Sequence, residues 1–294
     1  MKVLVPDYYE DFSCTAGKCR HSCCLGWEID IDENTAEYYR TLRGRIGKKL
    51  KACIRYADDG ASFVLDEDER CPFLDENNLC ELIIELGEDS LCQICRDHPR
   101  FRNYFSDRTE LGLGLCCEAA AELILSRREK PSFVVLAEDG EAENCTEEEK
   151  VFFARRDGLL AKVSEINRTC SHADLSPEFM LSLERLDKAW EEKLKLLLGY
   201  REKIKKTAVP DELTVPFEQF VSYLIFRHLP DENGDLSFIC ESAGLVKDLC
   251  RAEICRKGSC TFPDFVEIAR EWSSEIEYSD ENIGKIVREL CLSH

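Results

Sequence analysis

The sequence has no long apolar stretch, and this shortage sets the first limit on what the protein can be. The longest candidate, residues 217–229, is shorter than the roughly 18 residues that a membrane span requires, and it ends near Arg227 and His228. Acidic residues from Asp7 onward interrupt the first segment, so it does not resemble a secretory signal. We therefore expect a cytoplasmic protein without a membrane partner, in a compartment that keeps thiols reduced.

Positive charge is also scarce. The chain has 39 lysines and arginines against 59 aspartates and glutamates, which gives a formal net charge of −20. Such a surface repels phosphates, and we therefore expect neither nucleic acids nor anionic membranes as partners. It suits cationic partners such as lysine-rich protein segments. The simpler interpretation, that acidic charge only keeps the protein in solution, implies no function.

Cysteine, by contrast, is abundant, with 18 in the chain. Those between residues 14 and 117 follow the patterns C-x4-C-x3-CC, C-x8-C-x11-C-x2-C and CC, while Cys53 stands apart and is predicted to be a small packing residue. In a reduced compartment this grouping favours a metal ion or an iron–sulfur cluster over a disulfide framework. The candidate metal ligands are Cys14, Cys19, Cys23, Cys24, Cys71, Cys80, Cys92, Cys95, Cys116 and Cys117.

The strongest local signal is the C-x2-C knuckle of Cys92 and Cys95, which can present two sulfurs to one metal. Cys71 and Cys80 bracket a turn-rich loop that is predicted to bring its ends together. Ten thiols exceed the needs of one four-sulfur site, so one site with spare thiols and two sites both stay open. Zinc would act as a structural staple, and a cluster would serve electron transfer or substrate binding. Spacing alone does not separate them.

Three polar residues come directly after the knuckle. Arg96, His98 and Arg100 could bind a carboxylate and so hold a cofactor in place. Alternatively, they only neutralise several negative sulfurs. Both interpretations remain open at the level of the sequence.

Patterning predicts a mainly helical α+β protein: a loop-rich cysteine-cluster region with a few short strands, followed by a C-terminal helical bundle. The predicted division is a cysteine-rich metal-binding or cluster-binding region over 1–137, an acidic linker over 138–150 and a helical bundle domain over 151–294. Period-two patterns and strand-type composition predict strands at 27–31, 62–65 and 132–136. Apolar stripes and caps predict a helix that begins at Asp32 or Asn34 and runs to Leu50, and further helices at 118–128, 176–199, 217–229, 265–276 and from 279 onward.

Several spaced motifs recur in one order along the chain. They are Pro6-Asp7-Tyr8, the first cysteine group with Gly26-Trp27, Cys71-Pro72-Phe73-Leu74, Leu91-Cys92-Gln93-Ile94-Cys95-Arg96 with His98-Pro99-Arg100-Phe101, Leu115-Cys116-Cys117-Glu118 and Tyr223-Leu224-x-Phe226-Arg227. Together they resemble the bacterial flagellin lysine-N-methylase family over most of the chain. A looser similarity, confined to the front, is to small cysteine-cluster domains that chelate zinc or iron.

The resemblance implies transfer of a methyl group from S-adenosylmethionine to lysines of flagellin or another lysine-bearing protein. It also implies a four-iron four-sulfur cluster ([4Fe–4S]) as cofactor, with zinc as the alternative. The sequence shows no glycine-rich dinucleotide-type loop after a strand. Two other hypotheses stay open: a metal-chelating or metal-sensing protein without methyltransferase activity, and an electron-transfer protein.

Lysine methylation needs a neutral amine, whereas a free lysine has a pKa of about 10.4. A site must therefore desolvate the ammonium or accept its proton. Tyr223 and Arg227 lie four residues apart on the most apolar predicted helix and are the candidate catalytic residues. The simpler interpretation is that Tyr223 is a core residue with a hydrogen-bonded hydroxyl, and that Arg227 is a cation favoured near a helix C-terminus.

Overall fold

A computed structural model describes residues 1–57, 60–138, 140, 144–230 and 235–293. The chain forms two compact units. The smaller unit is Ser13–Phe101, and the larger unit combines Met1–Phe12 with the chain from Arg102 onward. The three-part division predicted from composition stays a prediction. Residues 139 and 141–143 of its acidic segment lie outside the described residues, and Glu147 to Lys150 form the first turn of a helix.

Seven strands form two small sheets in the described part of the chain. They are β1 Lys2–Pro6, β2 Asp30–Ile31, β3 Ile54–Ala57, β4 Gly60–Phe63, β5 Arg100–Tyr104, β6 Arg108–Leu113 and β7 Phe133–Glu138. One sheet is antiparallel with the order β2-β4-β3. The other has the order β5-β6-β1-β7, in which β1 runs parallel to β6 and antiparallel to β7.

Helices make up most of the remaining structure. They are α1 Glu33–Thr41, α2 Gly44–Cys53, α3 Glu81–Leu86, α4 Gln93–Asp97, α5 Glu118–Leu125, α6 Glu147–Ala161, α7 Val163–Thr169, α8 Pro177–Ser182, α9 Lys188–Gly199, α10 Arg201–Ile204, α11 Thr214–His228, α12 Leu236–Lys257, α13 Phe262–Trp272 and α14 Asp280–Ser293. A π-helical turn, Ser273–Glu277, follows α13. The predicted α+β class with a helical C-terminal region is confirmed. Within the described ranges, none of these helices has the length and apolar character to cross a membrane.

Two predicted helices are each split in two. The helix expected from Asp32 to Leu50 breaks after Thr41 because Leu42 is extended, and α2 begins at Gly44, whose φ of +76° suits glycine. The segment 176–199 breaks at Leu183, and Asp187 caps the second piece. In both cases the apolar residues keep their helical spacing across the break. The sequence pattern alone therefore could not locate the break.

The core of the larger unit surrounds α11, which is buried on nearly every side as predicted for residues 217–229. The Phe217 ring packs 4.5 Å from that of Phe265, and Phe220 meets Trp272 edge-on at 5.3 Å. A disulfide joins Cys170, after α7, to Cys240 in α12. Neither cysteine belongs to the groups found in the sequence.

A buried ion pair connects α6 to the sheet of the larger unit. Arg156 donates to both carboxylate oxygens of Glu110 at 2.6 and 2.7 Å. Its guanidinium also lies 5.6 Å from the ring centres of Phe133 and Phe226. The pair therefore holds the start of β7 against α11.

The smaller unit has its own core. Tyr39 stacks on Phe63 at 6.3 Å, and Phe63 packs against Phe73 at 5.1 Å. Cys71 and Cys92 are buried in this same core. Cysteine sulfurs thus line the apolar centre of the unit.

Candidate functional site

Six cysteine side chains of the smaller unit lie in or against its core, and all but Cys53 also influence one another. Cys71 and Cys92 are buried, and Cys24, Cys80 and Cys95 are partly buried. None of the five is in a disulfide. Each thiol is close enough to others of the set to alter their pKa values. The sulfurs are therefore collected in one place without being paired as cystines, and we refer to them as the thiol cluster.

Backbone pairing brings three of these cysteines together. The Cys71 N–H donates to the Cys24 carbonyl at 2.8 Å, next to a bridge between Leu25 and Arg70. Leu74 pairs with Cys80, so the loop from Cys71 to Cys80 closes on itself. The predicted approach of the two ends of this loop is confirmed.

Arg70 holds the loop in its closed form. Its guanidinium donates to the carbonyls of Leu74, at 3.3 Å, and Asp75, and to Asn78 Oδ1 at 3.2 Å. Outside the loop, a short turn over Ala16–Lys18 approaches closely, because a Cβ on Gly17 would lie 2.6 Å from the Asn77 carbonyl oxygen. Glycine is therefore needed at position 17.

Asp32 fixes the C-x2-C knuckle. Its Oδ1 accepts the Thr35 N–H at 3.0 Å and so caps α1, as predicted. Its Oδ2 accepts the Gln93 N–H at 2.8 Å, inside the knuckle. Nearby, the Tyr39 hydroxyl donates to the Ser90 carbonyl at 2.7 Å. One carboxylate thus joins the start of α1 to the pair Cys92 and Cys95.

The thiols differ in acidity. A hydrogen bond with Cys95 lowers the pKa of Cys92, and the same bond together with burial raises the pKa of Cys95. A hydrogen bond from Cys23 lowers the pKa of Cys24 to about 7 against the effect of burial, and Arg70 lowers it further. Burial raises the pKa of Cys71 to about 12. A metal ion binding here would displace protons from the buried thiols.

The donor set fits a sulfur-bound metal in number and in chemistry, since soft thiolates select zinc and iron–sulfur clusters. Four sulfurs on one zinc lie only about 3.8 Å apart, given Zn–S bonds of about 2.3 Å. Among the described residues, no three His, Cys, Asp or Glu side chains stand in an arrangement that could hold a metal ion. Cys92 and Cys95 instead share a hydrogen bond, and ligation by four of the thiols requires side chains to turn.

The other candidate ligands are outside the thiol cluster as defined here, although Cys23 adjoins it. Cys14 is exposed and its sulfur accepts the Ala16 N–H at 3.3 Å, and Cys19 donates to the His21 carbonyl at 3.3 Å. Cys23 is exposed and bonds to Cys24. Cys116 and Cys117 belong to the larger unit. Their roles as ligands stay predictions.

The three polar residues after the knuckle occupy different settings. Arg96 is exposed in the last turn of α4, whereas His98 and Arg100 are partly buried. Burial, and then the charge of Arg100, lowers the pKa of His98 to about 4, so its ring is neutral at pH 7. A neutral imidazole can accept a hydrogen bond as well as donate one. The predicted cofactor contact stays a prediction.

A second polar site lies inside the larger unit, around the carboxylate of Glu277. Tyr223 donates to Oε1 and Ser273 to Oε2. Arg227 Nε and His228 Nε2 each lie 3.2 Å from Oε1. Tyr223 and Arg227 therefore reach the same oxygen atom, which confirms that they share a face of the helix. Their catalytic role stays a prediction.

Glu277 keeps its charge although it is fully buried. Burial by itself would raise the pKa of Glu277, but the bond and charge of His228, followed by Arg227 and Ser273, lower it to about 2. Burial and the neighbouring carboxylate raise the pKa of Tyr223 well above its usual range. The Tyr223 hydroxyl is therefore a neutral donor, and it accepts the Leu115 N–H at 3.3 Å.

Sequence reasoning missed Glu277 and Tyr278, and it did not place Cys116 beside them. The Tyr278 hydroxyl and the Cys116 thiol share a hydrogen bond beside the carboxylate. Burial raises the pKa of Cys116 to about 12, although Tyr278 and Arg227 act to lower it. An acidic residue directly after a strongly apolar helical stripe, as Glu277 follows Ile276, is the signal that could have found it.

Tyr223 also lines a small pocket in the larger unit. Its walls include four aromatic side chains, Tyr8, Phe133, Tyr223 and Phe226. The remaining wall residues are Pro6, Ile124, Pro131, Gln219 and Ser222, so no charged side chain lines the pocket. The space suits about one water-sized group. Aromatic faces attract cations, and an apolar pocket favours the neutral form of an amine.

Comparisons with known proteins support the resemblance seen in the motifs. The chain is 27% identical over 136 residues to proteins named lysine-N-methylase from Salmonella choleraesuis and Salmonella typhimurium, which covers 42% of this chain and 32% of each relative. It is 26% identical over 137 residues to a protein named flagellar biosynthetic protein FliU from Salmonella muenchen, covering 42% of this chain and 77% of that protein. No protein-family model and no solved structure matches the chain.

These similarities confirm the resemblance to flagellin lysine-N-methylases. The match spans about a third of the length of the lysine-N-methylase relatives. The wider extent inferred from the motifs, over most of the chain, stays a prediction.

Proposed function

We propose that this protein is an S-adenosylmethionine-dependent protein lysine N-methyltransferase that acts on flagellin and carries an iron–sulfur cluster. The observation that carries this proposal is the thiol cluster, which occurs in a chain similar to proteins named lysine-N-methylase. A cytoplasmic location goes with it, because free thiols persist in a reducing compartment.

The cofactor would be held by the smaller unit. Four of the five thiols, from Cys24, Cys71, Cys80, Cys92 and Cys95, are enough to ligate one cluster. A bound cluster would supply electron transfer or a point of attachment for substrate. The adjacent arginines Arg96 and Arg100 would bind the carboxylate of the methyl donor, and the neutral His98 would orient it by a hydrogen bond.

The acceptor amine must lose its proton before its nitrogen can attack. Glu277 is a poor proton acceptor because Arg227 and His228 already neutralise it. We propose instead that the lysine tip enters the pocket beside Tyr223, where loss of water favours the neutral amine and the proton leaves to solvent. Methyl transfer to a neutral amine turns the sulfonium sulfur of the donor into a thioether. Arg227 holds Glu277, and Glu277 in turn fixes Tyr223 in the pocket wall.

Anaerobic purification tests the cofactor. We expect broad absorbance near 400 nm with matching iron and sulfide content, since zinc is colourless. The double variant Cys92→Ser/Cys95→Ser should lose both signals. Cys53→Ser is the matched control, because Cys53 packs against the same core but outside the thiol cluster, and it should keep them. Zinc in place of iron would overturn the cluster assignment.

A methyl-transfer assay tests the activity. Purified protein, labelled methyl donor and flagellin should give methyl-lysine, and Tyr223→Phe should lower the rate because the pocket wall loses its bond to Glu277. Bound metal without methyl transfer, and without affinity for the donor, would reject the enzyme and favour the metal-chelating or metal-sensing alternative.

A further inference from the structure

One edge of the four-stranded sheet is open. β7 lies at the end of the order β5-β6-β1-β7, and β1 pairs with one of its sides. Over the residues that the structure describes, no strand pairs with the other side. The five residues Val134 to Glu138 are all exposed, and Val135 is 52% exposed. An unpaired edge offers backbone N–H and C=O groups to an incoming strand.

β7 also lacks the features that usually protect an edge. Natural edge strands carry lysine, other inward charges or proline, which discourage pairing with another chain. β5, at the opposite end of the sheet, contains Arg100 and Arg102. β7 reads Phe-Val-Val-Leu-Ala-Glu, without a basic residue or proline. Apart from its last residue, Glu138, the edge is therefore uncharged and can pair with another chain.

The start of this edge lies at the pocket beside Tyr223. Phe133, the first residue of β7, lines that pocket and packs 4.9 Å from the ring of Phe226. Pro131, just before the strand, lines it too. A segment that extends along β7 therefore ends beside Phe133, one of the aromatic residues of the pocket wall.

Charge selects the kind of segment. β7 ends at the exposed Glu138, and the sequence from 138 to 149 has seven acidic residues and no basic one. The whole chain carries a formal charge of −20, which disfavours a second copy of itself on the edge. The complementary occupant is cationic.

We propose that β7 is the docking strand for the protein substrate: an extended, lysine-bearing segment adds to its open edge and places one lysine at the pocket beside Tyr223. This inference rests on the proposed function, because it describes how the acceptor binds. Backbone hydrogen bonds along the edge would bind an extended segment whatever its sequence. The pocket would then select the lysine.

A charge placed in the middle of the edge tests docking. Val135→Lys should weaken binding of flagellin, measured by titration without methyl donor, by about tenfold because strand addition is blocked. Val151→Lys is the matched control: this valine is 70% exposed on α6 and undergoes the same change in charge and size. We expect it to bind within about twofold of the unchanged protein.

Several outcomes would overturn the proposal. It fails if Val135→Lys binds flagellin as tightly as Val151→Lys, or if the unchanged protein binds no flagellin. It also fails if sedimentation shows a dimer that Val135→Lys dissociates, because a second copy then occupies the edge. If Val135→Lys does not fold, Ala137→Lys at another exposed position of β7 repeats the test.

A second readout separates this inference from the proposed activity. A blocked tripeptide containing one lysine is too short to add as a strand. Val135→Lys should therefore raise KM for flagellin and leave methylation of the tripeptide unchanged. If neither acceptor is methylated, the proposed function fails, and the binding titration still decides whether β7 is a docking strand.

Discussion

At the scale of single residues, Glu277 shows how the larger unit keeps a charge in its interior. A buried carboxylate without partners would be costly, but Arg227 and His228 each lie 3.2 Å from it and two hydroxyls donate to it. Removing one member of such a group leaves the others uncompensated. The effect of a substitution here is therefore larger than the value of any single bond.

Glu277→Gln should destabilise the protein by about 3–5 kcal/mol at pH 7, because Arg227 loses its counter-charge and the buried donors around the carboxylate lose a charged acceptor. The folded-state pKa of Glu277 is lowered from 4.5 to about 2, so its stabilising effect is complete above pH 4.5 and is lost as the pH falls from 4.5 towards 2. Urea unfolding measures the free energy of unfolding of the variant and of the unchanged protein. We expect the difference between the two to be smaller at pH 3 than at pH 7.

Glu148→Gln, at an exposed position of α6, is the control and should change stability by less than about 0.5 kcal/mol. If the free energies of unfolding of the Glu277 variant and the unchanged protein differ by the same amount at both pH values, the Glu277 carboxylate is not ionised as we infer.

At the scale of elements, α12 organises the helical region through buried polar contacts. Its Glu241 accepts the Asp174 N–H at 2.7 Å, and its Asp248 accepts the Ala173 N–H at 3.1 Å. Lys247 donates to the Cys170 carbonyl at 2.8 Å, beside the disulfide to Cys240. The segment 170–175 is thus fixed along the helix by several independent bonds.

Gly244 is the point of closest approach between α12 and this segment. A Cβ there would lie 2.6 Å from the Ala173 nitrogen and closer still to the His172 carbonyl, so Gly244→Ala should destabilise by about 3 kcal/mol. Gly158→Ala, in α6 with no atom near the added methyl, should stabilise by about 0.5–1 kcal/mol through helix propensity. Urea unfolding measures both. If the Gly244→Ala protein is as stable as the Gly158→Ala protein, the segment 170–175 can move away from α12 to make room for the methyl group.

At the scale of the whole molecule, the thiol cluster belongs to one unit and the Glu277 site to the other. Each unit has its own apolar core, so a ligand that binds one of them need not stabilise the other. Ligation by buried cysteines contributes directly to the folding free energy of the unit that supplies them.

Iron with sulfide, or zinc, added under reducing anaerobic conditions should slow amide hydrogen exchange mainly within residues 13–101. Bound metal lowers the frequency of local opening around its ligands. The double variant Cys92→Ser/Cys95→Ser, which leaves only three thiols of the cluster, should abolish this protection. Protection confined to the chain after residue 102 would show that the metal binds elsewhere.

The sequence predicted correctly those helices that are marked by a cap or an apolar run within a few residues. The apolar run 217–229 became α11, Asp32 caps α1, and Ser176 caps α8 through the Phe179 N–H at 3.2 Å. The longest helix, α12, was not predicted. Glu241, Lys247, Asp248 and Arg251 are buried in it, so charged residues interrupt the apolar stripe on which such a prediction depends.

The sequence by itself determined the supply of cysteine, the acidic charge, the helical class and the shared face of Tyr223 and Arg227, because each follows from composition or from spacing along one element. Only the tertiary structure decided which five thiols meet and that Glu277 joins Tyr223 to Arg227. Contacts over 50 residues of separation, such as that between Tyr223 and Glu277, depend on how elements pack. That packing is decided by the burial of entire apolar faces of helices and strands. It therefore leaves no pattern in any short stretch of the sequence.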